Sequence, residues 1–155
     1  MIVVADTGPL NYLVLIDVVN ILEPLYKRVL IPSAVADELR ADGAPLAVRR
    51  WIAQPPDWLE ILLDPPADKT LSGLDPGESA AIAMAVSQQA DRLLIDDSKG
   101  RAEAERRHLK VTGTLGVIAA AHRRGLLDFE AAIASLSSTT LYLSPRLLET
   151  VRRLM

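Results

Sequence analysis

The chain has 155 residues, 50% of them apolar and only 4% aromatic, with a formal net charge of −3 and no cysteine. That size suits one domain, residues 1–155, and the lack of cysteine excludes a disulfide framework and a thiolate zinc site while fitting a reducing cytoplasm. The negative balance offers nucleic acid no global field, so any such binding needs a local basic patch; no basic leader and no apolar run near the ~20 residues of a membrane span predict a soluble protein.

Ile2-Val3-Val4-Ala5 reads as a strand buried on both faces, as in a helix-covered parallel sheet, and it stops at Asp6. Gly8-Pro9 then starts a helix, with Pro at its first position. Asp6 therefore stands at the carboxyl end of a central strand, where open α/β sheets bind ligands, although Asp followed by Thr7 also suits a plain helix cap. Asp17 opens a short helical stretch from Val18 to Leu22, which Pro24 kinks or ends. Arg28 to Ile31 is the next strand. Pro32-Ser33 starts a helix whose stripe of Ala34, Val35 and Leu39 also carries Glu38, a carboxylate that costs free energy there unless it is compensated. The plainer reading puts Glu38 at the edge of the stripe, paired with Arg40, Arg49 or solvent.

Asp42 to Pro45 is a turn, Val48, Trp51 and Ile52 mark a helix, Trp58 to Leu62 an edge strand, and Asp64 to Asp68 a loop. Asp75, Pro76 and Glu78 occupy the N-cap, N1 and N3 positions of an Ala-rich helix, a capping box that satisfies Asp75 better than Glu78, which lies on the inward stripe. Arg92 to Ile95 is a core strand that ends in Asp96-Asp97, two acids whose mutual repulsion calls for a cation or a basic partner. Ser98 to Leu109 is helical, with Lys99 and Arg101 placed where a phosphate would arrive. Lys110 to Thr112 is a short strand before a helix that stops at Gly125, and Asp128 to Leu136 and Ser144 to Leu154 complete the elements. Residues 139–155 are apolar enough to pack on the core or on a second subunit.

A helix-covered parallel sheet would gather Asp6, Glu38, Glu78, Asp96 and Asp97 at one edge. Carboxylates without cysteine or paired histidines suit a hard, oxygen-preferring ion, Mg²⁺ or Mn²⁺, and hence metal-assisted phosphodiester hydrolysis. The ordered set Ile2 to Leu10, Ile31-Pro32 with Glu38, Leu74 to Glu78, Leu94 to Asp97 and Val111 to Gly116 resembles the PIN-domain nucleases, above all the compact prokaryotic, Vap-type branch found as toxins of toxin–antitoxin pairs. The resemblance implies a PIN-like, Rossmann-like parallel sheet of four to five strands flanked by helices. It also implies a divalent-metal endoribonuclease acting on RNA, a cognate antitoxin and a homodimer. Carried over, Asp6, Glu38, Glu78 and one of Asp96 and Asp97 hold the metal, with Thr7 and Thr114 as supporting hydroxyls. The Asp-Asp-Ser run at 96–98 departs from the pattern of many Vap-type toxins and leaves the choice of aspartate open, with Asp96 preferred as nearer the strand end and Asp97 as a second-site or water ligand. Substrate guidance falls to Lys99 and Arg101, with Arg49, Arg50, Arg123 and Arg124 further off.

Two other classes compete. A receiver domain would carry its acid pair on the first strand, and a dehalogenase-like phosphatase needs a second Asp two residues after the first, where this chain has Gly8. A catalytically inactive PIN-like binding module is the remaining alternative.

Overall fold

The strand β1 (Val3–Ala5) is buried on both faces and lies in the middle of a five-stranded, all-parallel sheet. The computed structural model describes residues 1–155. β2 (Val29–Pro32) pairs with β1 on one side and β3 (Leu59–Leu62) extends the sheet to that edge; β4 (Arg92–Leu94) and then β5 (Val111–Thr112) lie on the other side, giving the order β3-β2-β1-β4-β5. Parallel strands covered on both faces need near-continuous apolar runs, and Val-Val-Ala, Val-Leu-Ile-Pro and Leu93-Leu94 supply them. The chain runs outward from β1 to β3 and then returns to the far side of β1, so the strand order reverses between β1 and β4. That reversal opens a crevice beyond the carboxyl ends of the two strands.

The intervening helices are α1 (Thr7–Leu15), α2 (Leu22–Tyr26), α3 (Ser33–Arg40), α4 (Leu46–Ala53), α5 (Pro76–Ser87), α6 (Ser98–Arg106), α7 (Thr114–Arg123), α8 (Phe129–Leu136) and α9 (Pro145–Leu154). Side chains of the strands and helices merge into one core of 37 buried residues, among them Leu10, Leu39, Ile82, Leu93, Ile118 and Phe129. α3 packs on α4 and α5, which brings the first turn of α5 beside the stripe of α3 that carries Glu38. No helix is long and apolar enough to cross a membrane.

Several boundaries differ from the sequence reading. α1 begins at Thr7, so Pro9 is its third residue rather than its first. Pro24 neither kinks nor ends the segment after Asp17: a 3-10 turn over Val19–Ile21 runs into α2, and Pro24 sits in the first turn of α2, where a missing N–H leaves no helical bond unmade. α6 stops at Arg106 rather than Leu109, because His108 adopts a left-handed backbone (φ 64°). The strand before Asp6 starts at Val3, and the Ile2 N–H turns aside to the Asp91 carboxylate at 2.6 Å.

Candidate active site

Asp6 occupies the N-cap position of α1 with extended backbone, yet its side chain makes no capping bond. It is 6% exposed, and its Oδ1 is buried without a hydrogen-bond partner. The Asp6 N–H donates to the Leu94 carbonyl at 2.8 Å, tying the end of β1 to the end of β4. Burial pushes the Asp6 carboxyl up to about 7, against the Thr7 backbone N–H that favours ionisation, and Asp75, Glu38 and Asp96 raise it further by like-charge repulsion. A cap would be a solvated carboxylate bonded to the free N–H groups of the helix's first turn; this one is buried, makes no such bond and leaves Oδ1 unpaired.

Glu38 reaches toward the same region from α3. Its Oε2 is buried and unpaired, and the carboxylate lies so tightly on Gly77 that a Cβ there would fall 1.7 Å from Oε2. The carboxyl is raised chiefly by burial and next by Asp75. The Thr7 hydroxyl is buried without a hydrogen bond.

Half of the expected capping box forms at the start of α5. Asp75 accepts from the Glu78 N–H at 2.8 Å, as the sequence pattern indicated. Glu78 gives nothing back: it is 8% exposed, its Oε2 is buried and unpaired, and a Cβ on Gly100 would stand 2.6 Å from that oxygen. Burial is the main reason its carboxyl is raised, with Asp75 and Asp97 adding to it.

Asp96 and Asp97 part company. Asp96 accepts from the Thr114 N–H and the Thr114 hydroxyl, both at 2.7 Å, and stands beside Gly8, whose Cβ would lie 3.2 Å from Oδ2. Its carboxyl is raised by burial, while the two Thr114 bonds and the Arg101 charge pull the other way. Asp97 is exposed and caps α6, accepting from the Gly100 N–H at 3.0 Å. Thr114 itself is fully buried.

The basic candidates take different places. Arg101 donates to the Ile95 carbonyl at 3.2 Å and lies against Gly113 next to Asp96. Lys99 is exposed and donates to the Gly73 carbonyl at 2.8 Å. Arg49 and Arg124 hold the Ala44 and Pro24 carbonyls.

Sequence reasoning passed over two features. Asp75, read only as a cap, adds its charge to Asp6, Glu38 and Glu78. Gly77, Gly100 and Gly8 leave the room that the carboxylates of Glu38, Glu78 and Asp96 fill. Glycines in the first turns of α1, α5 and α6, where Gly is a poor helix former, were the available signal.

Five buried side-chain polar atoms of the molecule lack a hydrogen-bond partner, and four of them are Asp6 Oδ1, Thr7 Oγ1, Glu38 Oε2 and Glu78 Oε2. Buried carboxylate oxygens without donors are costly as they stand, and hard oxygen donors of this kind fit a divalent cation such as Mg²⁺ or Mn²⁺. As they stand, no three of the carboxylates are grouped closely enough to hold a metal ion. No curated protein matches the sequence. The family model DUF3368, a PIN domain, matches residues 2–155. With that match over nearly the whole length, and a five-stranded parallel sheet flanked by helices, the chain belongs to the PIN-domain family, a family of nucleases.

Proposed function

We propose that the chain is a divalent-metal-dependent endoribonuclease that hydrolyses RNA phosphodiester bonds, built as a single domain over residues 1–155. The observation that carries this reading is the set of buried, unpaired carboxylate oxygens on Asp6, Glu38 and Glu78 beyond the carboxyl ends of β1 and β4. Asp6, Glu38, Glu78 and Asp96 would hold Mg²⁺ or Mn²⁺, with Asp97 in a capping and outer role. When bound, such an ion activates a water and stabilises charge on a phosphoryl oxygen. In the hydrolysis the water oxygen bonds to phosphorus as the bond from phosphorus to one ribose oxygen breaks, and that oxygen leaves with a proton.

The remaining residues position these acids. Thr114 fixes both oxygens of Asp96, so that carboxylate cannot swing away from the crevice. Thr7 brings a free hydroxyl beside Asp6 and Glu38. Arg101 supplies the nearest cation for a backbone phosphate, and Lys99 lies on the same first turn of α6. The acids repel RNA until cations neutralise them, so activity requires the metal. We place the protein in the cytoplasm as the toxin of a toxin–antitoxin pair, with an antitoxin partner and a homodimer formed through apolar helix faces; these points rest on the resemblance of its motifs to Vap-type toxins.

The test is cleavage of single-stranded RNA by purified protein in Mg²⁺, in Mn²⁺ and in excess chelator, with Glu78→Gln alongside. Metal-dependent cleavage lost in Glu78→Gln supports the assignment. A folded protein that shows neither cleavage nor any thermal response to either ion overturns it in favour of a binding module.

A further inference from the structure

Beside the acid crevice runs a second concavity of about 490 Å³, within the size range of small-molecule sites. Asp96 and Arg101 form its polar wall, and Leu141, Tyr142, Leu143 and Leu147 form part of its apolar wall. The apolar wall is firmly built. Residues 141–144 cross from α8 to α9 with Leu141 and Leu143 packed on the core, and the adjoining Thr140 hydroxyl is hydrogen-bonded to the Tyr12 hydroxyl at 3.0 Å. α9 is fastened in turn by Arg152, which donates to both carboxylate oxygens of Glu130 at 3.0 and 2.7 Å. On this fixed strap the Tyr142 side chain stands free, 81% exposed, with no hydrogen bond to its hydroxyl.

We propose that this groove is a nucleobase subsite for single-stranded RNA, with Tyr142 as the stacking platform and Arg101 as the contact to the adjoining phosphate. The inference rests on the nuclease reading and names how that site engages its substrate. Three observations select a nucleotide as occupant. The groove shares Asp96 with the carboxylate crevice, so a base seated here belongs to a nucleotide next to the reacting phosphate. Arg101 uses one N–H on the Ile95 carbonyl and keeps others for an anion, at the junction between the apolar groove and the acids. An exposed aromatic ring over an apolar floor, beside one cation, matches the stacking and charge pattern by which proteins hold unpaired bases.

The experiment uses the full chain and a fluorescein-labelled single-stranded octauridylate in Mn²⁺, reading cleavage kinetics for wild type, Tyr142→Ala and Tyr142→Phe. The same RNA with one abasic nucleotide on either side of the cleaved bond is run in parallel. Stacking on one ring predicts a KM raised about 5- to 50-fold in Tyr142→Ala, with kcat little changed. Tyr142→Phe restores most of the affinity. One abasic position should weaken wild type to the same degree and add nothing to Tyr142→Ala. Because Tyr142 is so exposed, its variants keep the wild-type melting temperature. Wild-type cleavage left unaltered by Tyr142→Ala refutes the subsite alone and leaves the groove to a protein segment. Wild type that does not cleave any single-stranded RNA in metal removes the nuclease reading and the subsite together.

Discussion

Replacing Asp6 by Asn should make the metal-free protein more stable at alkaline pH. Burial holds the Asp6 carboxyl at about 7 in the folded chain, whereas the unfolded chain ionises it near 3.8. Between those values the folded state binds more protons, so its stability falls as pH rises through the window and stays low above it. At about 1.4 kcal/mol for each pH unit the window amounts to about 4 kcal/mol, an upper bound because water and side-chain movement screen the charge. Asn keeps the shape, carries no charge, and offers an amide to the Glu38, Asp75 and Asp96 carboxylates that repel Asp6. With about 2–4 °C of melting temperature per kcal/mol for a chain of this size, the gain is several degrees at pH 8 and shrinks toward zero near pH 4. Thermal denaturation followed by circular dichroism, from pH 4 to 9 in chelator, measures it. Mn²⁺ at a hundred times its dissociation constant should then raise wild type by about 2.7 kcal/mol and leave Asp6→Asn nearly unmoved. An Asp6→Asn protein that melts at or below wild type at pH 8 would refute the argument that Asp6 is held ionised at a cost.

Other substitutions test neighbouring parts of the same reasoning. Gly77→Ala puts a methyl group where Glu38 Oε2 now lies, so the flexible carboxylate must move; the metal-induced thermal shift should weaken in titrations while the metal-free melting temperature changes little. Thr114→Val removes the hydroxyl that Asp96 accepts from at 2.7 Å, which should cost about 1.5–3 kcal/mol in chemical denaturation. That bond favours the ionised form, so the cost should be full where Asp96 is ionised in the folded chain and fade as pH falls through its raised folded-state pKa. Leu93→Ala, in the fully buried middle of β4, should lower stability by about 2–5 kcal/mol through a core cavity, read by the same denaturation. RNA cleavage at saturating metal should slow as monovalent salt rises, since Arg101 and its basic neighbours act on phosphates, and salt-independent kinetics would count against that contact.

What could be read from the linear chain followed periods and stop signals. Val3-Val4-Ala5 and Leu93-Leu94 are apolar runs cut off by an acid, and parallel strands so bounded place Asp6 and Asp96 at the sheet's carboxyl edge. Glu38 and Glu78 were visible as acids on inward helical stripes, and both have a buried oxygen. The choice between Asp96 and Asp97 was not visible, because both follow the same run. The structure separates the two at the start of α6, where Asp97 caps the helix by accepting from Gly100 while Asp96 accepts from Thr114, a partner 18 residues further on. The groove beside Arg101 was illegible for the same reason: its walls come from α6, β5 and the strap before α9, and no local pattern records that they meet. Pro24 misled because a proline in a first turn looks, in sequence, like a proline that ends a helix.

The two places where local rules fail lie together. Asp6 holds an N-cap position without capping, and Glu78 holds the N3 position of a capping box without returning the bond. Either side chain could relieve its own burial by turning to a nearby helix N–H, as Asp75 and Asp97 do. Instead both keep an oxygen unpaired in a site crowded with like charge, beside a third unpaired carboxylate on Glu38. A chain selected for stability alone would keep the caps and drop the frustration, since surface acids at helix starts are easily satisfied. The glycines sharpen the point. Gly77 and Gly100 weaken the first turns of α5 and α6, and what they provide in return is space for the carboxylates of Glu38 and Glu78. Helix propensity, capping and charge repulsion thus all run against the fold at one crevice, and a cation bound among these acids would relieve the charge repulsion and satisfy the unpaired oxygens.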